Sequence, residues 1–252
     1  MSLLIVANWK MHPQTLSAAK KLVAVTKRAL GTKKIHLIVA PPAVFLRDLA
    51  KSGRSARVSY AAQSAHFEAE GAHTGDISMG QVKDSGAAYV IIGHAERRAL
   101  GETSEDTRKK VVAALSAGLR PVLCVGEAKR DEEGDYLEEF TQKVIIGTKD
   151  IPKNKLKDLV IAYEPVWAIG STETMNPSSM HEMSLYIRKT LMEPFGKAAL
   201  NIPILYGGSV DELNADQMLR DGEVQGLLVG RVSTDPVRFG VLLRSIKDRS
   251  AK

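Results

Sequence analysis

The stretch GLLVGRVSTDPVRFGVLLRSI, residues 226–246, contains one complete structural unit. A short apolar run, Gly226–Gly230, is followed by Asp235-Pro236, a helix cap and a proline suited to the first helical position. Apolar residues then recur at helical spacing: Val237, Leu242, Leu243 and Ile246. The stretch therefore predicts a strand followed by a helix.

Seven similar apolar runs precede this one, and each is followed by a segment with helical periodicity. Most are nearly continuous in Val, Ile and Leu, which is typical of strands covered on both faces. The predicted strands are Leu3–Trp9, Ile35–Ala40, Val58–Gln63, Tyr89–His94, Pro121–Val125, Val160–Glu164, Ile202–Gly207 and Gly226–Gly230. Among the helical segments, Leu16–Val23 follows the first run, and Ser104–Ala117 follows the fourth with Ser104 as its candidate cap and Gly118 as its stop.

Eight strand-and-helix units of about 30 residues, without a linker, predict an α/β protein with a parallel sheet. Eight units suit a closed (β/α)8 barrel, and we expect a single barrel domain over residues 1–252. A doubly wound open sheet is the alternative, and it would prefer a G-x-G-x-x-G turn after the first strand. The first run ends instead in Asn8-Trp9-Lys10, which favours the barrel.

The composition is that of a globular protein, with 44% apolar and 25% charged residues. The lone Cys124 excludes an intrachain disulfide and, with no signal-peptide pattern at the N-terminus, indicates a cytoplasmic protein. No apolar run is long enough to predict a membrane helix. The net charge of +6 favours anionic ligands, but basic and acidic residues are mixed, so we expect no nucleic-acid partner.

Several polar residues stand where the predicted strands end, which is the rim that carries the chemistry of such barrels. They are Asn8, Lys10, His94, Glu96, Glu127, Glu164, Gly207-Gly208-Ser209 and Gly230-Arg231. Each has a structural interpretation when taken alone: a hydrogen-bonding histidine, a solvated glutamate, a surface lysine, a tight glycine turn. Together, a Lys, a His and a Glu predict proton transfer on an anionic substrate.

The glycine turns indicate the class of anion. Gly207-Gly208-Ser209 precedes a predicted short helix at 211–220, and Gly230 ends the last strand. Barrels frequently bind phosphate with backbone amides of the loops after strands seven and eight. Glycine allows the backbone to approach a phosphate closely, although a Gly-Gly-Ser turn is weak evidence by itself.

These segments resemble the triosephosphate isomerase family over about residues 3–246. The resemblance rests on Asn8-Trp9-Lys10-Met11, Ile92-Gly93-His94, Glu96-Arg97-Arg98, the segment Ala162–Gly170 and Tyr206-Gly207-Gly208-Ser209-Val210, which stand in the family's order and spacing. It implies a single (β/α)8 TIM barrel that interconverts triose phosphates through an enediolate. No metal and no organic cofactor is implied.

The resemblance implies a role for each catalytic candidate. Glu164 is implied as the base, and His94 as the electrophile that also moves protons between the substrate oxygens. Lys10 is implied to stabilise the negative oxygen, with Asn8 supporting that oxygen and Glu96 pairing with Lys10.

The resemblance also implies a lid, a phosphate site and a homodimer. The lid would include Pro165, Trp167 and Ile169, with Trp167 against Glu127 when open and Tyr206 and Ser209 contacting the closed form. The residues implied for the phosphate are Gly170, Gly208, Ser209, Gly230 and Arg231. Thr74, in a loop that resembles the family's dimerisation loop, would contact Asn8 and Lys10 of the other subunit, with Gln63 near that contact.

Some positions depart from the family pattern. Ala95 replaces a serine whose hydroxyl holds the base in its resting position, and Gly230-Arg231 replaces Gly-Gly, so the arginine side chain must point away or meet the phosphate. Gln225 replaces an aspartate, and the second lid hinge at 171–175 lacks the usual Gly-Lys. Two alternatives stay open: an isomerase or racemase of another small sugar phosphate, such as a tetrulose phosphate, and a non-catalytic barrel that binds sugar phosphates.

Overall fold

A computed structural model describes residues 3–53, 55–131, 133–168 and 174–247. Within them, parallel strands form a closed barrel in chain order. The strands are β1 (Leu3–Asn8), β2 (Ile35–Ala40), β3 (Val58–Ala62), β4 (Tyr89–Ile92), β5 (Arg120–Val125), β6 (Val160–Tyr163), β7 (Ile204–Tyr206) and β8 (Gly226–Val229). Strand β1 pairs with both β2 and β8, with Leu4 opposite Gly226, and this pairing closes the barrel. The predicted (β/α)8 barrel is confirmed.

Helices connect the strands and cover the outside of the barrel. They are α1 (Leu16–Ala29), α2 (Ala43–Gly53), α3 (Met79–Asp84), α4 (Ala95–Ala99), α5 (Ser104–Ser116), α6 (Tyr136–Thr148), α7 (Pro177–Phe195), α8 (Ala215–Asp221) and α9 (Pro236–Ser245). Short 3-10 helices lie at Lys153–Asp158, Val166–Ala168, Gly196–Asn201 and Arg231–Thr234. None of the helices in the described ranges is both long and apolar enough to cross a bilayer.

The alternation of side chains along each strand produces two apolar cores. In β1, Leu4 and Val6 belong to the cluster that fills the barrel interior, whereas Ile5 and Ala7 pack with the surrounding helices. Both faces of the strands are therefore buried. This burial explains why the sequence showed continuous apolar runs without alternating polar residues.

Helix starts follow local capping, and two sequence predictions need correction. The cap of α5 is Thr103 and not Ser104, because the Thr103 hydroxyl accepts the Asp106 N–H while the Asp106 carboxylate accepts the Thr103 N–H. The helix predicted at 211–220 is α8, which begins only at Ala215, because the carboxylate of Asp211 holds the preceding turn. The Asp235 cap with Pro236 after it is confirmed.

The predicted apolar runs extend past most strands at their carboxyl ends. Trp9 is 1% exposed, yet it follows β1, and Glu164 follows β6. The hydrophobic pattern records burial, whereas a strand ends where the ladder of backbone hydrogen bonds ends. The residues just beyond the ladder are therefore buried side chains on loops, which is the position expected for a rim site.

Candidate active site

A cavity of about 510 Å³ opens at the carboxyl ends of the strands. Its walls are formed by loops after β1, β4, β6, β7 and β8. Most of the sequence-predicted site residues line it: Asn8, Lys10, His94, Glu96, Glu164, Gly208, Ser209, Gly230 and Arg231. The structure therefore brings the candidate acid–base groups and the candidate phosphate loops to one cavity.

Lys10 is held rigidly by its neighbours. Its φ angle is +52°, in the left-handed region that non-glycine residues rarely adopt. Gln63 donates from Nε2 to the Lys10 carbonyl at 2.7 Å, and the Lys10 N–H donates to Asn8 Oδ1 at 3.2 Å. Lys10 Nζ donates to Glu96 Oε1 at 2.7 Å. These contacts fix an ammonium group at the mouth of the cavity in an unusual backbone conformation.

His94 lies between β4 and α4 and is buried, with its side chain 7% exposed. The preceding Gly93 is anchored on both sides, since its N–H donates to Glu102 and its carbonyl accepts from Arg98. His94 Nδ1 accepts the N–H of Glu96 at 3.2 Å. A nitrogen that accepts a hydrogen bond carries no hydrogen, so the neutral ring has its hydrogen on Nε2. Nε2 is the nitrogen that faces Glu164.

Glu164 is 2% exposed and lies beside His94, with 3.3 Å between His94 Nε2 and Glu164 Oε1. Its other oxygen, Oε2, accepts the backbone N–H of Ala95 at 3.1 Å. Oε1 has no hydrogen-bond partner within the described parts of the chain. A buried carboxylate with one unpaired oxygen is poised to accept a proton.

The electrostatic surroundings of Glu164 favour proton uptake. Burial raises the pKa of Glu164, and the nearby His94, the Ala95 hydrogen bond and the Lys10 cation act in the opposite direction. Glycines create the space for this residue: a Cβ atom on Gly126 would lie 1.8 Å from the Glu164 carbonyl oxygen. The loops after β5 and β6 are therefore in direct backbone contact at this point.

The candidate lid begins directly after Glu164. Glu127 is fully buried, and its Oε1 accepts hydrogen bonds from Trp167 Nε1 at 3.0 Å, Tyr163 at 2.7 Å and Arg130 at 2.8 Å. This contact of Trp167 with Glu127 is the one that the sequence resemblance implied for an open lid. Pro165 precedes it in the buried part of the loop, and the predicted lid residue Ile169 lies outside the described residues.

The loop after β7 adjoins the lid. Ser209 Oγ donates to the Ala168 carbonyl at 2.7 Å. Gly208 packs against Tyr206, because a Cβ atom at Gly208 would lie 2.2 Å from the Tyr206 hydroxyl oxygen. Glycine is therefore required at this position for steric reasons, in addition to any approach to a ligand. Gly170, also predicted for the phosphate, lies outside the described residues.

The loop between β3 and α3 projects from the barrel. Thr74 is exposed there and does not line the cavity, so within one chain it is separate from Lys10. Elsewhere in this loop, His66, His73 and Asp76 approach one another closely enough to hold a metal ion. However, His66 Nδ1 accepts the Glu68 N–H, so the His66 hydrogen is on Nε2, facing Asp76. His73 Nε2 is likewise hydrogen-bonded to Glu68 Oε2 at 2.8 Å, so one ring nitrogen of each histidine is already engaged by Glu68.

Comparison with known proteins assigns the chain to a family. A family model described as triosephosphate isomerase matches residues 3–246. The chain is 38% identical over 242 residues to the triosephosphate isomerase of Moorella thermoacetica, covering 95% of this chain and 97% of the relative. It is 36% identical to that of Endomicrobium trichonymphae (97% and 98% covered) and 39% identical to that of Coprinopsis cinerea (93% and 94%). The chain belongs to the triosephosphate isomerase family.

As a triosephosphate isomerase, the enzyme interconverts an aldose and a ketose triose phosphate. Family membership agrees with the first sequence interpretation, and it disfavours the tetrulose phosphate enzyme and the non-catalytic barrel. The chain retains Lys10, His94 and Glu164 in the family's order. The departures at Ala95 and Arg231 alter the surroundings of these residues and not the residues themselves, whereas Gln225 precedes β8, away from the cavity.

Sequence reasoning missed some residues that shape this triosephosphate isomerase site. The family resemblance implies a position near a dimer contact for Gln63, and in the structure Gln63 also donates to the Lys10 carbonyl and to the Ala40 carbonyl. The Ala95 backbone N–H is not predictable as a site group, because an alanine carries no polar side chain. A polar residue with both a donor and an acceptor directly after a strand, as Gln63 is after β3, is the signal that could reveal the first of these.

Proposed function

We infer that Glu164 is the base of the triose phosphate isomerisation and removes the proton from the carbon next to the carbonyl. The observation that carries this assignment is the pair formed by Glu164 and His94 at the cavity wall, with 3.3 Å between Glu164 Oε1 and His94 Nε2. Within the described residues, Oε1 accepts no hydrogen bond. Burial raises the pKa of this carboxyl, which makes it a stronger base than an exposed glutamate.

His94 is the electrophile and the proton carrier in this proposal. Its Nε2 bears a hydrogen because Nδ1 already accepts the Glu96 N–H. A neutral N–H can polarise the substrate carbonyl, and it can deliver a proton to one oxygen and recover one from the other. The short helix α4, whose first turn contains Glu96, fixes the ring in this orientation.

Lys10 stabilises the enediolate oxygen by charge. Its side chain lines the cavity beside the Gly230 loop, and its ammonium lies 2.7 Å from Glu96 Oε1. Asn8 is 4% exposed and lies at the end of β1, where its Oδ1 accepts the Lys10 N–H. A pre-positioned cation lowers the energy of the charged intermediate without reorganisation during the reaction. These steps use groups of the chain itself.

The phosphate is bound by backbone amides of Gly208, Ser209, Gly230 and Arg231, together with that of Gly170 outside the described residues. Closure of the lid over the ligand would involve Pro165, Trp167 and Ile169, with Tyr206 and Ser209 beside it. Support comes from the Ser209–Ala168 hydrogen bond, which links the β7 loop to the lid segment. Exclusion of water matters because an exposed enediolate phosphate eliminates its phosphate group.

The test is a coupled assay with D-glyceraldehyde 3-phosphate on the wild type, Glu164→Asp and the control Glu182→Asp, an exposed position on α7. Shortening the Glu164 side chain withdraws the carboxylate by about one methylene, so we expect kcat to fall about 100-fold or more. Glu182→Asp should match the wild type. Equal rates in all three proteins would refute the base assignment. A four-carbon sugar phosphate assayed in parallel tests the alternative substrate.

A homodimer completes the proposal. Large apolar side chains are exposed in segments that follow β1, β2 and β4: Met11 is 81%, Val44 78% and Leu100 77% exposed. These segments flank the projecting β3 loop that carries Thr74. Exposed apolar side chains around a projecting loop support an interface. In the dimer, Thr74 of one subunit would support Asn8 and Lys10 of the other.

The dimer is tested by sedimentation of the wild type, Thr74→Arg and Thr32→Arg. Thr32 is also exposed but lies before β2, at the opposite end of the barrel. We expect a dimer for the wild type and Thr32→Arg, and a monomer with reduced activity for Thr74→Arg. A fully active monomer of the wild type would refute the assembly and the role of Thr74.

The cellular setting is part of the same proposal. The reaction places the enzyme in glycolysis and gluconeogenesis, and we assign it to the cytoplasm, with the whole chain 1–252 as one catalytic domain. Support comes from Cys124, which is buried as a free thiol, and from the mixed pattern of surface charges. No nucleic acid and no membrane partner belongs to this proposal.

A further inference from the structure

The basic side chains that line the active-site cavity differ in how they are paired. Lys10 Nζ lies 2.7 Å from Glu96 Oε1. Arg238 makes two hydrogen bonds to the carboxylate of Glu212, at 2.8 and 3.0 Å. Arg231 is exposed on the cavity wall, and its guanidinium makes no hydrogen bond or ion pair with any residue in the described ranges. Among the cavity cations of the described residues, Arg231 is the one whose charge no carboxylate compensates.

The backbone at Arg231 is fixed beside Lys10. Arg231 follows β8 and begins the 3-10 helix Arg231–Thr234. The Gly230 carbonyl accepts both the N–H and the hydroxyl of Ser233, at 2.8 and 2.7 Å. A Cβ atom on Gly230 would lie 3.7 Å from Lys10 Cε. The arginine side chain therefore starts from a rigid turn at the same end of the cavity as the Lys10 ammonium.

The Arg231 side chain determines the balance of charge on the cavity wall. Its wall carries the bases Lys10, Arg231 and Arg238 and the acids Glu96, Glu164 and Asp211. Without Arg231 the acids would outnumber the bases around a dianionic ligand. A guanidinium offers a planar pair of donors that matches two phosphate oxygens. The family pattern, Gly-Gly at this position, provides backbone amides alone.

We propose that the Arg231 side chain is a direct ligand of the substrate phosphate, in addition to the backbone amides of the β7 and β8 loops. The proposal rests on the phosphate site of the proposed function. Arg231 contacts the phosphate equally in the ground state and in the transition state, because the phosphate does not react. Its loss should therefore raise KM and leave kcat nearly unchanged.

The test compares Arg231→Gln with Arg244→Gln, an exposed arginine on α9 that does not line the cavity. Both variants lose one positive charge. A difference in phosphate affinity between them therefore reports the contact of Arg231 with phosphate. Binding of inorganic phosphate is measured by titration calorimetry, and KM and kcat by the coupled assay. A hydrogen bond between charged groups contributes enough for an expected loss of about 10-fold or more in phosphate affinity for Arg231→Gln. Arg231→Gly, the family residue, should behave like Arg231→Gln.

Ionic strength separates a direct contact from a long-range field. At about 0.5 M KCl, interactions of exposed charges over several ångströms are largely screened. If Arg231 is a direct ligand, part of the difference in phosphate affinity between Arg231→Gln and Arg244→Gln should persist at this salt concentration. Complete loss of that difference would overturn the proposal. Equal phosphate affinity of the two variants in low salt would overturn it as well.

The proposed phosphate contact of Arg231 and the proposed isomerase mechanism can be refuted separately. Calorimetry with inorganic phosphate requires no turnover. Phosphate binding that depends on Arg231 in a wild type without isomerase activity would refute the assigned reaction and support the phosphate ligand. Rapid isomerisation with unchanged KM in Arg231→Gln would refute the ligand and leave the reaction intact.

Discussion

The backbone N–H of Ala95 donates a hydrogen bond to Oε2 of Glu164 across 3.1 Å. Position 95 carries a serine in the family pattern, and its hydroxyl holds the glutamate there. In this chain the first amide of α4 makes the contact instead, since the N–H groups of a helix's first turn have no partner within the helix. The Glu164 carboxylate is therefore held beside α4 by a backbone donor to Oε2, without a side-chain hydroxyl at position 95.

The burial of Glu164 leads to a pH prediction for catalysis. The base must be ionised, and burial raises the pKa of Glu164 above the ordinary value of about 4.3 for a glutamate. Lowering the pH protonates Glu164, so kcat/KM should fall as the pH drops through this raised pKa. A profile of kcat/KM against pH reports the free enzyme and checks the prediction. An acid limb at or below pH ~4 would contradict it.

A second prediction concerns Ala95→Ser. The added hydroxyl can donate to the ionised Glu164 carboxylate, which stabilises the charged form and lowers its pKa. One hydrogen bond contributes about 1 kcal/mol, so the acid limb of kcat/KM should move to lower pH by up to ~1 unit. Ala99→Ser makes the same chemical change at an exposed position of α4 and serves as the control. Identical pH profiles for the two variants would show that the hydroxyl does not reach Glu164.

The fold could be predicted largely from the sequence because its signals are local. Apolar runs covered on both faces predicted all the observed strands, and Ile35–Ala40 was correct to the residue. The ends of most other strands could not be located, because a buried residue on a loop, such as Trp9, has the same hydrophobicity as one in a strand. The cap of α5 was misplaced for a similar reason: Thr103 and Ser104 are both good caps, and only the reciprocal Asp106 contact decides between them.

Only part of the active site could be predicted from the sequence. Lys10, His94 and Glu164 have functional side chains at strand ends, so their convergence follows from the barrel geometry. The groups that hold them are backbone atoms or distant side chains, such as the Ala95 amide and Gln63. Their contacts depend on tertiary structure, and a sequence pattern does not record them.

A third prediction uses the close packing of Gly207 against Glu164. A Cβ atom on Gly207 would lie 2.9 Å from Glu164 Cγ and 3.4 Å from the Tyr163 carbonyl oxygen. Gly207→Ala should therefore displace the Glu164 carboxylate. A shift of about 1 Å can lower the rate about 100-fold, so we expect that order of loss in kcat. The measurement is steady-state kinetics together with thermal unfolding.

The matched control for this variant is Gly80→Ala. At Gly80, in α3, the nearest atom to an added Cβ is Ser78 Oγ at 3.8 Å, which is ordinary contact. Gly80→Ala should keep the kcat of the wild type. A Gly207→Ala variant with wild-type kcat would mean that Glu164 tolerates the added methyl group without moving.

The last prediction concerns stability on the side of the barrel away from the site. Gln225 Oε1 accepts hydrogen bonds from Arg188 Nη2 at 2.6 Å and from the Ile204 N–H at 3.0 Å, and its Nε2 donates to the Glu223 carbonyl at 3.0 Å. Gln225→Ala removes the acceptor of a half-buried guanidinium and of a strand amide. Leaving such donors unpaired costs about 1–3 kcal/mol. For a chain of this size each kcal/mol corresponds to roughly 2–4 °C in the unfolding midpoint.

Differential scanning calorimetry of Gln225→Ala should therefore show a lower midpoint, whereas Gln142→Ala, at an exposed position on α6, should unfold like the wild type. Equal midpoints for the two variants would mean that water replaces the Gln225 oxygen at no cost.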